Sequence, residues 1–213
     1  MLTLYDYLPS QNAYKVRLLL RHLGIPYRTE LVSIFEGEGQ RPDYLAVNPT
    51  GAVPAIRLED GRVIAESNAI LCYLAEGSRY LPADRYARAK VMQWLFFEQN
   101  YVEPQIGTLR HWRMTGKLAR RSPEAIEGRR AGAVKALRIL ERELAARRFI
   151  AGDGYTIADM AIFAYASRAE EARILLGPYP NFRAWVERVA AQEGFLAETH
   201  PYSIDPHSSR ELP

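Results

Sequence analysis

The sequence changes its periodicity once, at Leu81-Pro82-Ala83-Asp84, and that change decides most of what the chain can fold into. Before it, short apolar alternations interleave with helical periods; after it, only helical periods remain. Sheets and helix bundles bury different kinds of apolar surface, so such a switch separates two packing units. The length of 213 residues gives room for one domain or two unequal ones. The expected organisation is an α/β domain over residues 1–80, a linker over 81–86 and an all-helical domain over 87–213. Pro201, Pro206, Pro213 and Ser208-Ser209 predict an extended or mobile tail from about residue 199.

In the first part, Leu2, Leu4 and the Tyr5/Tyr7 region alternate as a strand. Val16, Leu19, Leu20 and Leu23 then recur at i, i+3, i+4 and i+7 until Gly24 and Pro26 end a helix. Tyr27 to Ile34 predicts the second strand, a polar, glycine-bearing stretch covers Phe35 to Pro42, and Asn48-Pro49-Thr50-Gly51 forms a turn. Ala55 to Leu58 and Arg62 to Ala65 flank Glu59-Asp60-Gly61 as a hairpin, and a helix follows from about Ser67 to Gly77. The order is βαβ then ββα. Pro54 is the misfit, standing where hydrophobicity alone would start a buried strand; proline in a sheet is confined to edges, bulges, strand starts or a cis turn.

Past the switch, Tyr86 to about Lys117 is one long aromatic-rich helical segment. Ser122-Pro123-Glu124 opens a helix carrying Ala133, Leu137, Leu140 and Leu144 on one face. Thr156-Ile157-Ala158-Asp159 resembles a capping box with Asp in place of Glu or Gln, and Phe182, Trp185, Val186 and Val189 line a last amphipathic helix.

Several functions are unsupported by what the chain contains. It is 25% charged with a net charge of +3, and its arginine-rich stretches alternate with acids along helices as solvated faces, so no nucleic-acid partner is expected. The single cysteine, Cys72, forms neither an internal disulfide nor a CxxC pair, which suits a reducing cytoplasm; it is expected as a buried filler of its helix. No apolar run approaches the length of a membrane span. His22, His111, His200 and His207 are scattered without metal-ligand spacing, so no metal is expected. There is no GxSxG and no GxxxxGK[ST], and the partial GxGxxG at Gly37 has Pro42 in its third glycine position.

Three features remain. Ser10-Gln11-Asn12 leads into the first helix, Val53-Pro54 precedes the third strand, and Glu66-Ser67 opens the next helix. Helix N-termini aim free N–H groups and a positive dipole end outward, so a pair of them on one unit suits an anion. Serine at either helix start is also an ordinary cap.

With SQNAYKVRLLLRHLGIPY, NPTGAVPAI, ESNAI and GDGYTIADMAIFAY in this order, the chain resembles the cytosolic glutathione S-transferase superfamily, specifically a bacterial serine-type, theta- or nu-like member. The resemblance covers nearly the whole chain. It implies a thioredoxin-like N-terminal domain, an all-α C-terminal domain, glutathione as co-substrate, and a homodimer. It also implies a cis Val53–Pro54 step whose Val53 backbone pairs with the cysteinyl part of glutathione as an added strand; a trans proline at a strand start is the alternative. Glu66 would meet the α-ammonium of the tripeptide, and Ser67 its α-carboxylate. Ser10 is the implied donor to the glutathione sulfur, with Asn12 as the competing candidate and Gln11 beside them. The glycyl carboxylate falls to Gln40 or Arg41, where related sequences often carry His or Lys. The second substrate, a small hydrophobic electrophile, is expected between the domains, walled by Tyr101, Gln105, Leu109 and Trp112.

A glutaredoxin-like CxxC would fall at Ser10 to Ala13; both cysteines are absent, so a dithiol mechanism is excluded while glutathione-driven reduction stays open. The implied activity is therefore attack of glutathione thiolate on an electrophile, or glutathione-dependent reduction. A transferase-like binding or regulatory protein with little turnover is the alternative, and isomerisation of a dienoic acid fits less well because SQNA replaces the serine- and cysteine-rich loop expected there.

Overall fold

The computed structural model describes residues 1–210 and divides them into two compact units, residues 1–75 with 193–210, and residues 76–192. In the first, β1 (Leu2–Asp6), α1 (Gln11–Leu23) and β2 (Tyr27–Leu31) form a parallel βαβ unit, and β3 (Ala55–Arg57) and β4 (Val63–Ala65) complete a four-stranded sheet in the order β2-β1-β3-β4. Parallel pairing of β1 with β2 needs a crossover, which α1 supplies; β1–β3 and β3–β4 pair antiparallel. β1 is central and buried along its whole length. Leu2 and Leu4 pack with Val16 and Leu20 of α1, Ile56, and Ile70 of α3 (Ser67–Ala75). Tyr5 and Tyr7 belong to a second apolar cluster with Val32, Tyr44, Val47, Val53 and Ala55, as the alternation of a strand requires. Tyr44 comes from the one-turn helix α2 (Pro42–Leu45).

The expected helix stop is present at Gly24, which takes φ 64° and returns its N–H to Arg21. The DG hairpin also forms, with Gly61 at φ 85° and Leu58 N–H bonded to Arg62 O at 2.8 Å. β2 ends earlier than the apolar pattern implies. Val32 N–H still reaches Asp6 O at 2.8 Å, but Glu36 N–H then turns back to Ser33 O, and two 3-10 turns occupy Ile34–Glu36 and Glu38–Gln40.

The second unit is helical. α4 (Arg85–Phe97) continues through a wider, π-helical stretch over Glu98–Gly107 into α5 (Thr108–Met114), so the long segment forms with its middle unwound around Pro104. Proline removes an intrahelical donor and crowds the preceding turn, and wider winding accommodates both. α6 (Pro123–Leu144) buries its Ala133, Leu137, Leu140, Leu144 face. α7 (Ile157–Ala166) is buried on every side, and α8 (Pro180–Ala190) buries Phe182, Trp185 and Val189. Asp159 holds these together from a fully buried position. Its carboxylate accepts from Thr156 N–H and hydroxyl, from Ile150 N–H and from Trp185 Nε1 at 2.8 Å.

Two boundaries differ from expectation: the second unit begins at residue 76, ahead of the expected linker over 81–86, and the C-terminal stretch changes sides. Residues 193–210 group with the first unit and not with the helical one, and the stretch from residue 199 is folded back through a short 3-10 turn at Tyr202–Ile204. Tyr14 Oη donates to Leu196 O at 2.7 Å, Tyr202 packs on the Tyr5/Tyr7 cluster, and His207 Nε2 meets Glu36 Oε1 at 2.6 Å. Pro201, Pro206, Ser208 and Ser209, which suggested a free tail, stand at or in turns of this stretch, and Pro213 lies outside the described residues. Among the described residues, no helix is long and apolar enough to cross a membrane.

Candidate glutathione site

Ser10 caps α1. Its Oγ accepts Ala13 N–H at 3.2 Å, and its own N–H bonds Tyr7 O at 2.8 Å to close the turn after β1. A cap uses a lone pair of the serine oxygen, so the hydroxyl proton is left to donate; no acceptor meets it among the described residues. Gln11 is buried and its amide donates towards Pro9 O at 3.4 Å. Asn12, one residue further, turns its Oδ1 inward, where it accepts from Lys15 Nζ at 2.8 Å and Ser67 Oγ at 3.3 Å. The fold brings Asn12 and Ser67 together across 55 positions.

Ser67 is buried at the first turn of α3, and its hydroxyl also lies 3.4 Å from Lys15 Nζ. Its N–H, one of the orphan donors of a helix N-terminus, has no acceptor among the described residues. Glu66, just outside the helix, is exposed and held at φ 71°, an unusual backbone state for a residue with a Cβ. Such conformations concentrate at functional sites.

Val53–Pro54 is a cis step. The turn before it is built by Asn48, whose Nδ2 donates to Ala52 O at 2.7 Å while its Oδ1 takes the N–H and hydroxyl of Thr50. Tyr44 Oη adds a second bond to Ala52 O at 2.7 Å. Burial, and then the neighbouring Tyr5, push the Tyr44 phenol above its ordinary pKa, so it stays a donor at neutral pH. The N–H and C=O of Val53 have no partner among the described residues, which leaves a short length of open backbone edge.

Gln40 and Arg41 lie on the loop that crosses this turn, and both are exposed. Gln40 is brought there by two glycines back to back: a Cβ on Gly39 would overlap Gly51 O, and one on Gly51 would overlap the Gln40 amide. Arg41 reaches Glu38 Oε1 at 3.4 Å. The N-termini of α1 and α3, the Val53 edge and the Gln40 loop all belong to the first unit.

A cavity of about 330 Å³ in the same unit is lined by Tyr7, Pro9, Val32, Glu36 and Asp205 among others, and does not include Ser10, Val53 or Ser67. An open edge, not this cavity, is what a strand-like ligand requires. Burial and the nearby Asp205 carboxylate raise the Tyr7 phenol far above its usual pKa; its Oη makes no hydrogen bond of normal geometry. Tyr7 is therefore a neutral wall.

The four residues expected around a second substrate have other neighbours in the helical unit. Tyr101 is exposed and stacks on Phe97 with centroids 5.2 Å apart; Leu109 is buried. Gln105 packs so closely on α6 that a Cβ on Gly132 would overlap it, and Arg121 lies 4.9 Å over the Trp112 ring. Cys72 is part-buried in α3. Among the described residues, no group of three or more His, Cys, Asp or Glu side chains could hold a metal.

Sequence reasoning missed Lys15 and the Arg17–Asp6 pair, and placed Asn48 in a turn without its bonds to Ala52 and Thr50. The available signal was charge in an apolar context, since Lys15 and Arg17 flank Val16 in a helix buried from Ala13 to Leu20.

The comparisons converge. Residues 9–76 match the model of the glutathione S-transferase N-terminal domain and residues 123–188 that of the C-terminal domain. The disulfide-bond oxidoreductase YfcG of Escherichia coli K12 is 30% identical over 90% of this chain and 91% of its own length. Glutathione S-transferase 3 of Zea mays is 31% identical over 98% of this chain and 97% of its own. A crystal structure of a glutathione S-transferase from Pseudomonas fluorescens Pf-5 superposes with a TM-score of 0.89 at 37% identity, covering 92% of this chain and 97% of that one. With both domain models and relatives of full length in agreement, the chain belongs to the glutathione S-transferase family.

Proposed function

We propose that the first unit binds glutathione extended along the Val53 edge and that Ser10 and Asn12 hold its sulfur as thiolate. The observation that carries this reading is the set of unspent hydrogen-bonding groups: the Ser10 hydroxyl proton, the Val53 N–H and C=O, and the Ser67 N–H. Val53 pairs with the cysteinyl backbone as an added strand. The Ser67 N–H and the α3 dipole receive the α-carboxylate, Glu66 receives the α-ammonium, and Gln40 or Arg41 the glycyl carboxylate. The site is the serine type expected of theta- or nu-like members.

Thiolate is the reacting species. Lowering a thiol pKa by about two units requires about 2.7 kcal/mol of preferential interaction with the anion. One or two charge-assisted hydrogen bonds beside a helix N-terminus supply that amount. The activity is glutathione-dependent transfer to a small hydrophobic electrophile or reduction of a disulfide or peroxide, in a cytoplasmic homodimer. The maize and E. coli relatives, named for transfer and for disulfide chemistry, support this pair of reactions.

Ultraviolet difference titration of the protein with glutathione across pH tests the reading. Thiolate absorbance is expected one to two pH units below that of free glutathione. Absence of binding, or binding with an unshifted thiol, overturns it. Thiolate without turnover on a panel of electrophiles, disulfides and peroxides favours the binding-protein alternative, and sedimentation reads the oligomeric state.

A further inference from the structure

We propose that Lys15 is a positioning residue, which fixes the Asn12 amide so that its –NH2 is the group left to face a bound ligand. This rests on the glutathione reading above. Lys15 is fully buried on the second turn of α1, with its Nζ 2.8 Å from Asn12 Oδ1 and 3.4 Å from Ser67 Oγ.

An ammonium only donates, so the Asn12 atom it touches is the carbonyl oxygen. Ser67 Oγ, 3.3 Å from the same oxygen, accepts from Lys15 and donates to Asn12. Both lone-pair directions of Oδ1 are thereby filled. The –NH2 lies on the opposite side of the planar amide, and no acceptor meets it among the described residues. Without Lys15, Asn12 could rotate to present its carbonyl oxygen to the site, and an acceptor facing a thiolate is repulsive where a donor is attractive.

The arrangement also joins the N-termini of two helices. Lys15 and Asn12 come from α1 and Ser67 from α3, so a group that binds at one helix meets a network already set by the other. Preorganised donors of this kind lose little freedom when the anion arrives.

The test uses the full chain carrying Lys15→Met, Asn12→Ala, and both. Lys15→Met is expected to bind glutathione but to raise the apparent pKa of the bound thiol by about one unit, about tenfold less thiolate at a fixed pH below that value. In the Asn12→Ala background the same substitution is expected to change nothing further, because its effect passes through Asn12. An unshifted thiol in Lys15→Met, or a full effect of Lys15→Met that persists in Asn12→Ala as a through-space charge would give, overturns the proposal.

A second readout needs no glutathione. The Asn12 side-chain amide resonances, assigned by their loss in Asn12→Ala, should be sharp in the wild type and exchange-broadened in Lys15→Met; equal line widths overturn the positioning role. If the wild type fails to shift the thiol, the glutathione reading falls while the amide measurement still decides the orientation. Should Lys15→Met not fold, Asn12→Asp carries the test, since it keeps the acceptor that Lys15 and Ser67 hold and removes the –NH2. It is expected to stay folded and to lose the thiolate; thiolate retained at the wild-type level overturns the proposal.

Discussion

A Cβ atom on Gly39 would overlap the carbonyl oxygen of Gly51, so the loop carrying Gln40 and the turn leading to Val53 touch through bare backbone. Nothing flexible can yield at that crossing, because the opposing atom is itself backbone. Gly39→Ala is expected to cost about 1–3 kcal/mol of stability, the usual range for overpacking a tight contact, read as a lower urea midpoint. It should also weaken glutathione binding by displacing Gln40 from the edge of the site. An unchanged midpoint and unchanged affinity would show that the two segments separate freely.

Asp6, at the end of β1, and Arg17, in α1, form a buried pair with Arg17 Nη1 2.7 Å from both carboxylate oxygens. Arg17 Nη2 also donates to Leu8 O at 3.0 Å, which ties the chain just before Ser10 to the helix that Ser10 caps. Removing one partner strands a buried charge, so Arg17→Met is expected to cost about 3–5 kcal/mol in urea unfolding. The double variant Asp6→Leu/Arg17→Met should cost clearly less than the sum of the singles. Additive losses would mean that the two groups do not depend on each other.

Sheet, helices and the order of both units were legible because each depends on a local signal: apolar period, the Gly24 stop, the DG turn, the helix starts at Pro123 and Thr156. The early end of β2 was not, since Val32, Ser33 and Ile34 keep the apolar–polar alternation of a strand while Ser33 O accepts a turn hydrogen bond from Glu36. Ser10, Val53 and Ser67 could be picked out because their neighbours match a family pattern. Lys15 could not. Its meaning comes from contact with Ser67, 52 positions away, and the charge beside Val16 in YKVRLLL does not say which groups that lysine meets. The tail differs from its expected extended form for a related reason. Proline and serine mark turns as readily as they mark disorder, and only contacts such as Tyr14 with Leu196 decide between them.

Asp159 makes a pH prediction with a definite sign. Complete burial raises its pKa, and the hydrogen bonds from Ile150, Trp185 and Thr156 offset only part of that rise. The native carboxyl therefore holds its proton more tightly than the unfolded one. Between the ordinary aspartate value and the raised native value, folding takes up a proton, so this residue's contribution to stability falls as pH rises. Asp159→Asn removes that slope and, by spoiling one accepted hydrogen bond, adds a pH-independent loss of about 1–3 kcal/mol. Urea unfolding of both proteins across about pH 3 to about pH 8 should show the wild type losing its advantage as pH rises through the window. A constant difference would place the native carboxyl at its ordinary value.

The helix cap made by Ser10 and the thiolate contact proposed for it can be separated by substitution, because capping uses its oxygen as an acceptor and the proposed contact uses its proton. Ser10→Ala loses both, with an expected cost of about 1 kcal/mol in stability together with a rise in the pKa of bound glutathione. Ser10→Asp keeps a good cap and gains favourable interaction with the α1 dipole, so its stability should match or exceed that of the wild type. The same carboxylate has no proton to donate and repels a thiolate, so the bound thiol should return to the pKa of free glutathione or above it. A Ser10→Asp protein that is stable and still holds glutathione as thiolate would confine Ser10 to the helix cap and leave the sulfur to Asn12.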